Sequence, residues 1–272
     1  VWSGQAAEVD YTHWTKGEPA NQIQLAFRCH WNLFRELMGP NFAGRRSLEL
    51  GAGRGSLSAY FADNGFEATL MDLSPSAMET AERIFTRNGL KGKFLVGDAL
   101  ETGLPDASQD VIFSIGLLEH IEDLERALAE EVRLLAPGGA LFCYVVPERP
   151  ENVQKDYSVV CQILALYDEA LRGPRAVAEK PDLFRSDVDS SVYLDILSRL
   201  PMKDVQASGV YPFPMISPSP SFPFTLMPPA LEAILVADYT RRLDERRRET
   251  GRNPWLCDEA MGQAFLVWGF KE

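Results

Sequence analysis

The sequence predicts an α/β fold: a doubly wound, mostly parallel seven-stranded sheet with an N-terminal helical cap and inserted lid segments. Three observations carry this. From Arg46 onward, short apolar runs alternate with longer stretches of helical period, the pattern of parallel strands covered on both faces. The first apolar run passes directly into a glycine-rich turn, "LELGAGRG", and then into a helix-like segment. In "DLSPSAMETAERIF", Ser74 fits an N-cap and Pro75 the first helical position, where a missing N–H costs nothing.

The elements follow in order. Ile23, Phe27, Trp31 and Phe34 recur at helical spacing and Gly39-Pro40 closes that helix, so residues 1–45 form a cap region. Strands are expected at 47–50, 68–72, 92–96, 111–115 and 140–146, with helices at 55–64, 75–88 and 124–135. Pro147 and Pro150 then end the strand, 152–170 reads as an amphipathic helix, and a turn-rich stretch completes an insertion at about 147–189. A helix at 190–200 and a strand at 203–210 resume the rhythm. Seven prolines between Tyr211 and Pro229 forbid a helix or a central strand there. Tyr211, Phe213, Phe222 and Phe224 carry too much apolar surface to stay in water, which favours an ordered, extended flap over a linker. A helix from 230 to about 248 and a last strand in "GQAFLVWGFK" complete a domain over 46–272, its second insertion at 211–262.

A formal charge of −12 argues against a nucleic-acid surface, because a phosphate backbone needs clustered Lys and Arg. The arginines of 240–252 are interleaved with Asp244, Glu245 and Glu249 at helical spacings and read as a solvated helix face. Cys29, Cys143, Cys161 and Cys257 have no metal-ligand spacing, and Cys143 and Cys161 sit in apolar runs as small hydrophobes, so neither metal nor disulfide is expected. No apolar stretch is long enough to span a bilayer, and the first residues lack the order of a signal peptide, so a cytoplasmic location without membrane contact is expected. The sequence leaves a homo-oligomer open.

A glycine-rich turn between first strand and first helix brings backbone N–H groups and a helix N-terminus to a ligand at the carboxyl edge of the sheet. The dinucleotide spacing would put its third glycine at position 56; that residue is Ser56, and the third glycine comes at Gly55. Glu49, inside an apolar strand end, needs a partner such as an ammonium or hydroxyl. Asp72 ends the second strand, placed to accept from ribose hydroxyls, and Asp98 follows the third, placed to accept from an adenine amine. Three acids at successive strand ends suit a ligand with a ribose, an amine and a positive centre, and would repel pyrophosphate.

On these residues the chain resembles the class I S-adenosylmethionine-dependent methyltransferases. "LELGAGRG" is similar to that family's first motif, "TLMDLS" to its second-strand acidic motif, "VGDALETGLPDASQDVIFSIGLLEHI" to its adenine loop and fourth strand, and "EVRLLAPGGALF" to its fifth-strand approach. The resemblance implies S-adenosylmethionine as cofactor. It also implies that Glu49, Gly51, Gly53 and Gly55 line its methionine part, Asp72 binds the ribose, Asp98 and Ala99 hold the adenine, and Ile115 and Gly116 close the pocket. Ala52 and Leu73 complete that set.

Methyl transfer needs the acceptor held in line with the methyl group, water kept out, and a base only where the acceptor carries a proton. His120, just past the fourth strand, is a candidate base or substrate contact; capping or packing of the next helix is the plain alternative. Glu119 beside it is a candidate for binding a substrate cation. His30 reads as structural. Tyr11 and Trp14 are candidates for offering ring faces to a cation, against ordinary packing. The expected function is methyl transfer to N, O or S of a small molecule. A nicotinamide-dependent oxidoreductase and a non-catalytic cofactor-binding subunit are the alternatives.

Overall fold

The computed structural model describes residues 13–148, 152–173, 184–218 and 226–272. Eight strands form one sheet in the order β3-β2-β1-β4-β5-β8-β6-β7. These are β1 (Arg46–Leu50), β2 (Glu67–Asp72), β3 (Lys93–Val96), β4 (Gln109–Ile115), β5 (Leu135–Val145), β6 (Met202–Val210), β7 (Leu256–Cys257) and β8 (Ala264–Lys271). The first five pair in parallel, and β8, β6 and β7 join antiparallel. Seven strands were expected. The eighth is β7, a two-residue edge pairing to Gly209 and Val210, too short to leave a period in the sequence.

The helices are α1 (Gln22–Met38), α2 (Ser56–Asp63), α3 (Pro75–Arg87), α4 (Leu124–Leu134), α5 (Ser158–Arg172), α6 (Ser190–Ser198) and α7 (Pro229–Thr250). Ser74 caps α3 through its hydroxyl and Pro75 opens it, as the sequence predicts. Strand residues alternate between two apolar layers, the signature of a sheet covered on both sides. On one side Val111, Phe113, Phe142, Tyr144 and Leu266 meet α1, α2 and α3; on the other Ile112, Leu141, Cys143, Val145 and Phe265 meet α4 and α6.

α1 runs along β5. Phe34 stacks on Phe142 at 4.2 Å between ring centroids, and His30, one turn earlier, meets Tyr144 at 4.5 Å. Four helical residues rise about 6 Å and two strand residues about 6.6 Å, so the helix keeps step with the strand and carries its N-terminal end to the strand's carboxyl end.

Tyr211–Ser217 folds back onto the domain, with Phe213, Met215 and Ser217 buried, in keeping with an ordered flap; Phe222 and Phe224 lie outside the described residues. A latch fixes it. Gln22, at the start of α1, donates from N and Nε2 to the buried Glu232 of α7, and its amide also exchanges hydrogen bonds with the backbone of Ile216. The arginines of α7 pair with acids on the exposed helix face, Arg241 with Asp238 and Glu245, and Arg242 with Asp238. Cys143 and Cys161 are buried thiols. Among the described residues, no helix is long and apolar enough to cross a membrane.

One buried acid in the second layer has a measurable cost. Glu131 of α4 is sealed from solvent, and burial pushes its carboxyl up to about 8, offset in part by the Cys143 thiol donating at 3.5 Å. The folded state therefore holds a proton that the unfolded chain releases near 4.5. This contribution to stability is full below pH 4.5 and is lost as pH rises toward 8. Glu131→Gln should unfold at higher denaturant than the parent at pH 8, by about 2–4 kcal/mol, with the gap closing at pH 4.5. Equal gaps at both pH values would contradict the protonated assignment.

Candidate functional site

The parallel strands end at one edge, and the turns there contain most of the residues singled out in the sequence. The turn 51–55 leaves β1 with Gly51, Gly53 and Gly55 all at positive φ, between 51° and 65°. A methyl group on Gly55 would lie 2.2 Å from Leu70 Cδ2, so this glycine lets α2 pack onto the sheet. One on Gly53 would meet nothing within 4 Å. Gly53 thus exposes backbone at the strand edge, which is what a ligand needs for close approach.

Two carboxylates hold this turn. Asp72, at the end of β2, accepts from Gly53 N through Oδ2 and from Ser74 N through Oδ1, both at 2.9 Å. Glu49 is 3% exposed, and its Oε2 accepts from Ser58 N at 3.0 Å and Ser58 Oγ at 2.5 Å. The expected hydroxyl partner of Glu49 is therefore in the chain itself. Burial raises the Glu49 carboxyl to about 7; Ser58 opposes the shift and the charge of Asp72 adds to it. Its Oε1 has no hydrogen-bond partner among the described residues, which leaves an acceptor beside the glycine turn.

Around them Leu73 is 70% exposed just past β2. Asp98 is exposed on the turn after β3, where Oδ1 accepts from Leu100 N, and Ala99 beside it is half-buried. Ala52 is buried and donates to Met71 O. Ile115 lies opposite Tyr144, and Gly116 N donates to Tyr144 O at 2.9 Å.

A short 3-10 turn, Leu118–His120, follows β4. The Glu119 side chain is folded under it, 1% exposed, with Oε2 sealed and unpartnered and Oε1 3.4 Å from where a Cβ of Gly116 would stand. Burial lifts this carboxyl to about 7, against its own backbone N–H and the more distant Arg185. His120 is half-buried, and its Nδ1 lies 2.7 Å from Phe184 O. A carbonyl only accepts, so Nδ1 carries the proton and Nε2 of the neutral ring is an acceptor. The segment bearing Phe184 is stitched to the site by Ser186 N donating to Glu119 O and Glu148 N donating to Ser186 O.

Trp14 is buried edge-on to Tyr60 of α2, and Tyr11 lies outside the described residues. Sequence reasoning missed Ser58; the signal was a serine in the first turn of α2, flanked by the core residues Leu57 and Ala59.

Residues 48–143 match the family model described as a methyltransferase domain. The chain is 33% identical over 105 residues to malonyl-[acyl-carrier protein] O-methyltransferase of Serratia marcescens, covering 39% of this chain and 40% of that protein. It is 33% identical over 112 residues to demethylmenaquinone methyltransferase of Thermus thermophilus, covering 40% of this chain and 51% of that one. The chain thus spans about half, or less, of the length of these curated relatives. Its fold is similar to phosphoethanolamine N-methyltransferase 2 of Haemonchus contortus, solved with phosphomonomethylethanolamine and S-adenosylhomocysteine; the TM-score is 0.54 at 15% identity, over 89% of this chain and 52% of that one. The match over residues 48–143 is to a methyltransferase domain, and the structure of similar fold holds a product of S-adenosylmethionine. The donor set fits that group: an open glycine turn, a carboxylate with a spare oxygen at Glu49, and an acid at the end of β2.

The two glycines separate packing from ligand approach. Gly55→Ala should destabilise the protein by about 2–4 kcal/mol in urea unfolding, from positive φ and overpacking together. Gly53→Ala, strained by its φ alone, should cost about 1–2 kcal/mol. Equal losses would show that Gly53 is packed as tightly as Gly55.

Proposed function

We propose that the chain is an S-adenosylmethionine-dependent enzyme that moves a methyl group to an N, O or S atom of a small molecule by in-line displacement. The observation that carries this reading is the open Gly53 turn held between the carboxylates of Glu49 and Asp72 at the parallel strand ends. The bound cofactor supplies an electrophilic methyl group on a sulfonium. Glu49 Oε1 receives its ammonium group, Asp72 its ribose hydroxyls, and Asp98, Ala99 and Leu73 its adenine. Gly51, Ala52, Ile115 and Gly116 complete the cradle. The insertions at about 147–189 and 211–262 cover the acceptor and keep water out.

His120 serves as base where the acceptor carries a proton. The Nδ1–H···O=C bond to Phe184 fixes the ring so that Nε2 can receive it. This places the lid segment in control of the base. Glu119 binds a cationic acceptor or takes up the charge that develops beside it, and Trp14 offers a ring face to the same cation. Cytoplasmic location, action on metabolites rather than nucleic acid or membranes, and a homo-oligomeric state belong to the same proposal.

Calorimetry should show S-adenosylmethionine and its demethylated product binding one site; heat with a nicotinamide dinucleotide and none with either would overturn the assignment. Asp72→Ala should weaken cofactor binding by about 1.5–3 kcal/mol, the range for hydrogen bonds to a charged group. Unchanged affinity in the folded variant would move the ribose elsewhere. For a hydroxyl or ammonium acceptor, His120→Ala should lower turnover by roughly 10²–10⁴. Parent-like turnover at every pH would return His120 to a packing role.

A further inference from the structure

Helix α5 is apolar on two faces, and its own domain covers one of them. Inward, Cys161 is buried with its thiol donating to Met215 O of the flap at 3.6 Å, and Leu164 and Ala165 are half-buried beside it. Outward, Val159, Val160, Ile163, Leu166, Tyr167 and Leu171 are 42–67% exposed. These six recur at spacings of three and four residues, so they stand in one stripe along the helix. A helix that is apolar all round belongs in an interior. The stripe exposes on the order of 700 Å², more than the roughly 300–600 Å² of the largest apolar patch on a typical monomer. Such a surface calls for a cover.

The chemistry beside the stripe narrows what the cover is. A helix that docks on lipid carries Lys and Arg along its polar face, whereas residues 158–171 contain neither, and Gln162 and Glu169 border the stripe. The net charge of −12 also opposes an anionic membrane or an acidic partner protein. Two copies of the chain repel one another through the same charge, except where charge is absent, and the α5 stripe is such a place. A two-fold contact further needs a patch that is complementary to itself. Two α5 helices running antiparallel, centred at the level of Ala165, bring Val159 level with Leu171 and Ile163 level with Tyr167, small against large with no charges opposed. The area agrees, because each partner in a standard interface contributes about 800 Å².

We propose that α5 forms a homodimer interface, its exposed stripe packed against the same stripe of a second copy of this chain. This rests on the homo-oligomeric state proposed above and names its surface; it is independent of the methyltransferase reading, since its test reads mass and not turnover.

Sedimentation equilibrium of the full chain should give twice the mass of one chain. Ile163→Glu combined with Leu166→Glu places acids in the stripe and should raise the dimer dissociation constant more than about 100-fold. Ile234→Glu, at a comparably exposed position on α7, should leave it within about twofold. Ile163→Lys combined with Leu166→Lys should be monomeric alone and should pair with the glutamate variant when the two are mixed. If these variants do not fold, hydrogen exchange of the parent carries the test: the amides of 158–171 should lose protection on dilution through the dissociation constant while the strands keep theirs. A parent that stays monomeric up to about 100 µM overturns the dimer and the homo-oligomeric state together. A dimer that survives the glutamates, or α5 protection that does not change on dissociation, overturns this surface alone. A monomer that binds phosphatidylcholine vesicles, and loses that binding with the glutamates, overturns the second copy in favour of lipid.

Discussion

The hydrogen bond from Gly53 N to Asp72 Oδ2 ties the first crossover turn to the second, and the geometry of the strand edge depends on it. Five parallel strands bring their carboxyl ends to one line, where each chain must reverse without a sheet partner for its last polar groups. Asp72 meets that demand on two turns at once, since its other oxygen accepts from Ser74 N at the start of α3. Glu49 does the same between β1 and α2 through Ser58. Each carboxylate fixes a helix start relative to a strand end. The result is a turn whose backbone is rigid and uncovered at Gly53.

The cap helix is seated by a different device. α1 keeps step with β5, so the pairings of Phe34 with Phe142 and His30 with Tyr144 place successive helix turns over successive strand positions. This register would drift if the start of α1 were free. Gln22 prevents that by bonding Glu232 of α7 and Ile216 of the flap, segments about 200 residues away in the chain. Buried Glu232 also accepts from Met227 N, so one carboxylate gathers α1, α7 and the segment before α7. The same cluster that seats the cap helix thereby seats the flap.

Much of this was legible in the sequence because it is local. The five parallel strands and α2, α3 and α4 leave apolar periods, caps and glycine turns within about ten residues, and these mark the elements to within a few positions. Glu49 could be recognised as needing a partner because a carboxylate inside an apolar strand end is costly wherever the partner lies. What escaped is what depends on distant pairing. β7 exists because Arg246 donates to Pro254 O and Leu256 O and Trp255 packs on Tyr211, none of which marks two residues as a strand. His30 reads as structural because its helix stripe is apolar, but the partner that bonds it, Trp255, arrives from the far end of the chain and leaves no mark beside it.

The buried acids explain why the site suits a positive ligand better than a phosphate. Glu49 and Glu119 sit at the same strand edge, both lifted to about 7 by burial; Glu119 Oε2 has no partner among the described residues, and the bonds to Glu49 fall on Oε2 alone. Such a group is poised between two states: neutral when alone, ionised when a cation comes within reach and repays the desolvation. An anionic ligand would instead hold both acids protonated and meet the charge of Asp72. The negative net charge of the whole chain works in the same direction at long range, drawing cations toward the protein before any contact forms. Selectivity at this edge therefore comes from acids kept in a low-dielectric setting, and the glycine turn contributes the shape into which a ligand of that charge can fit.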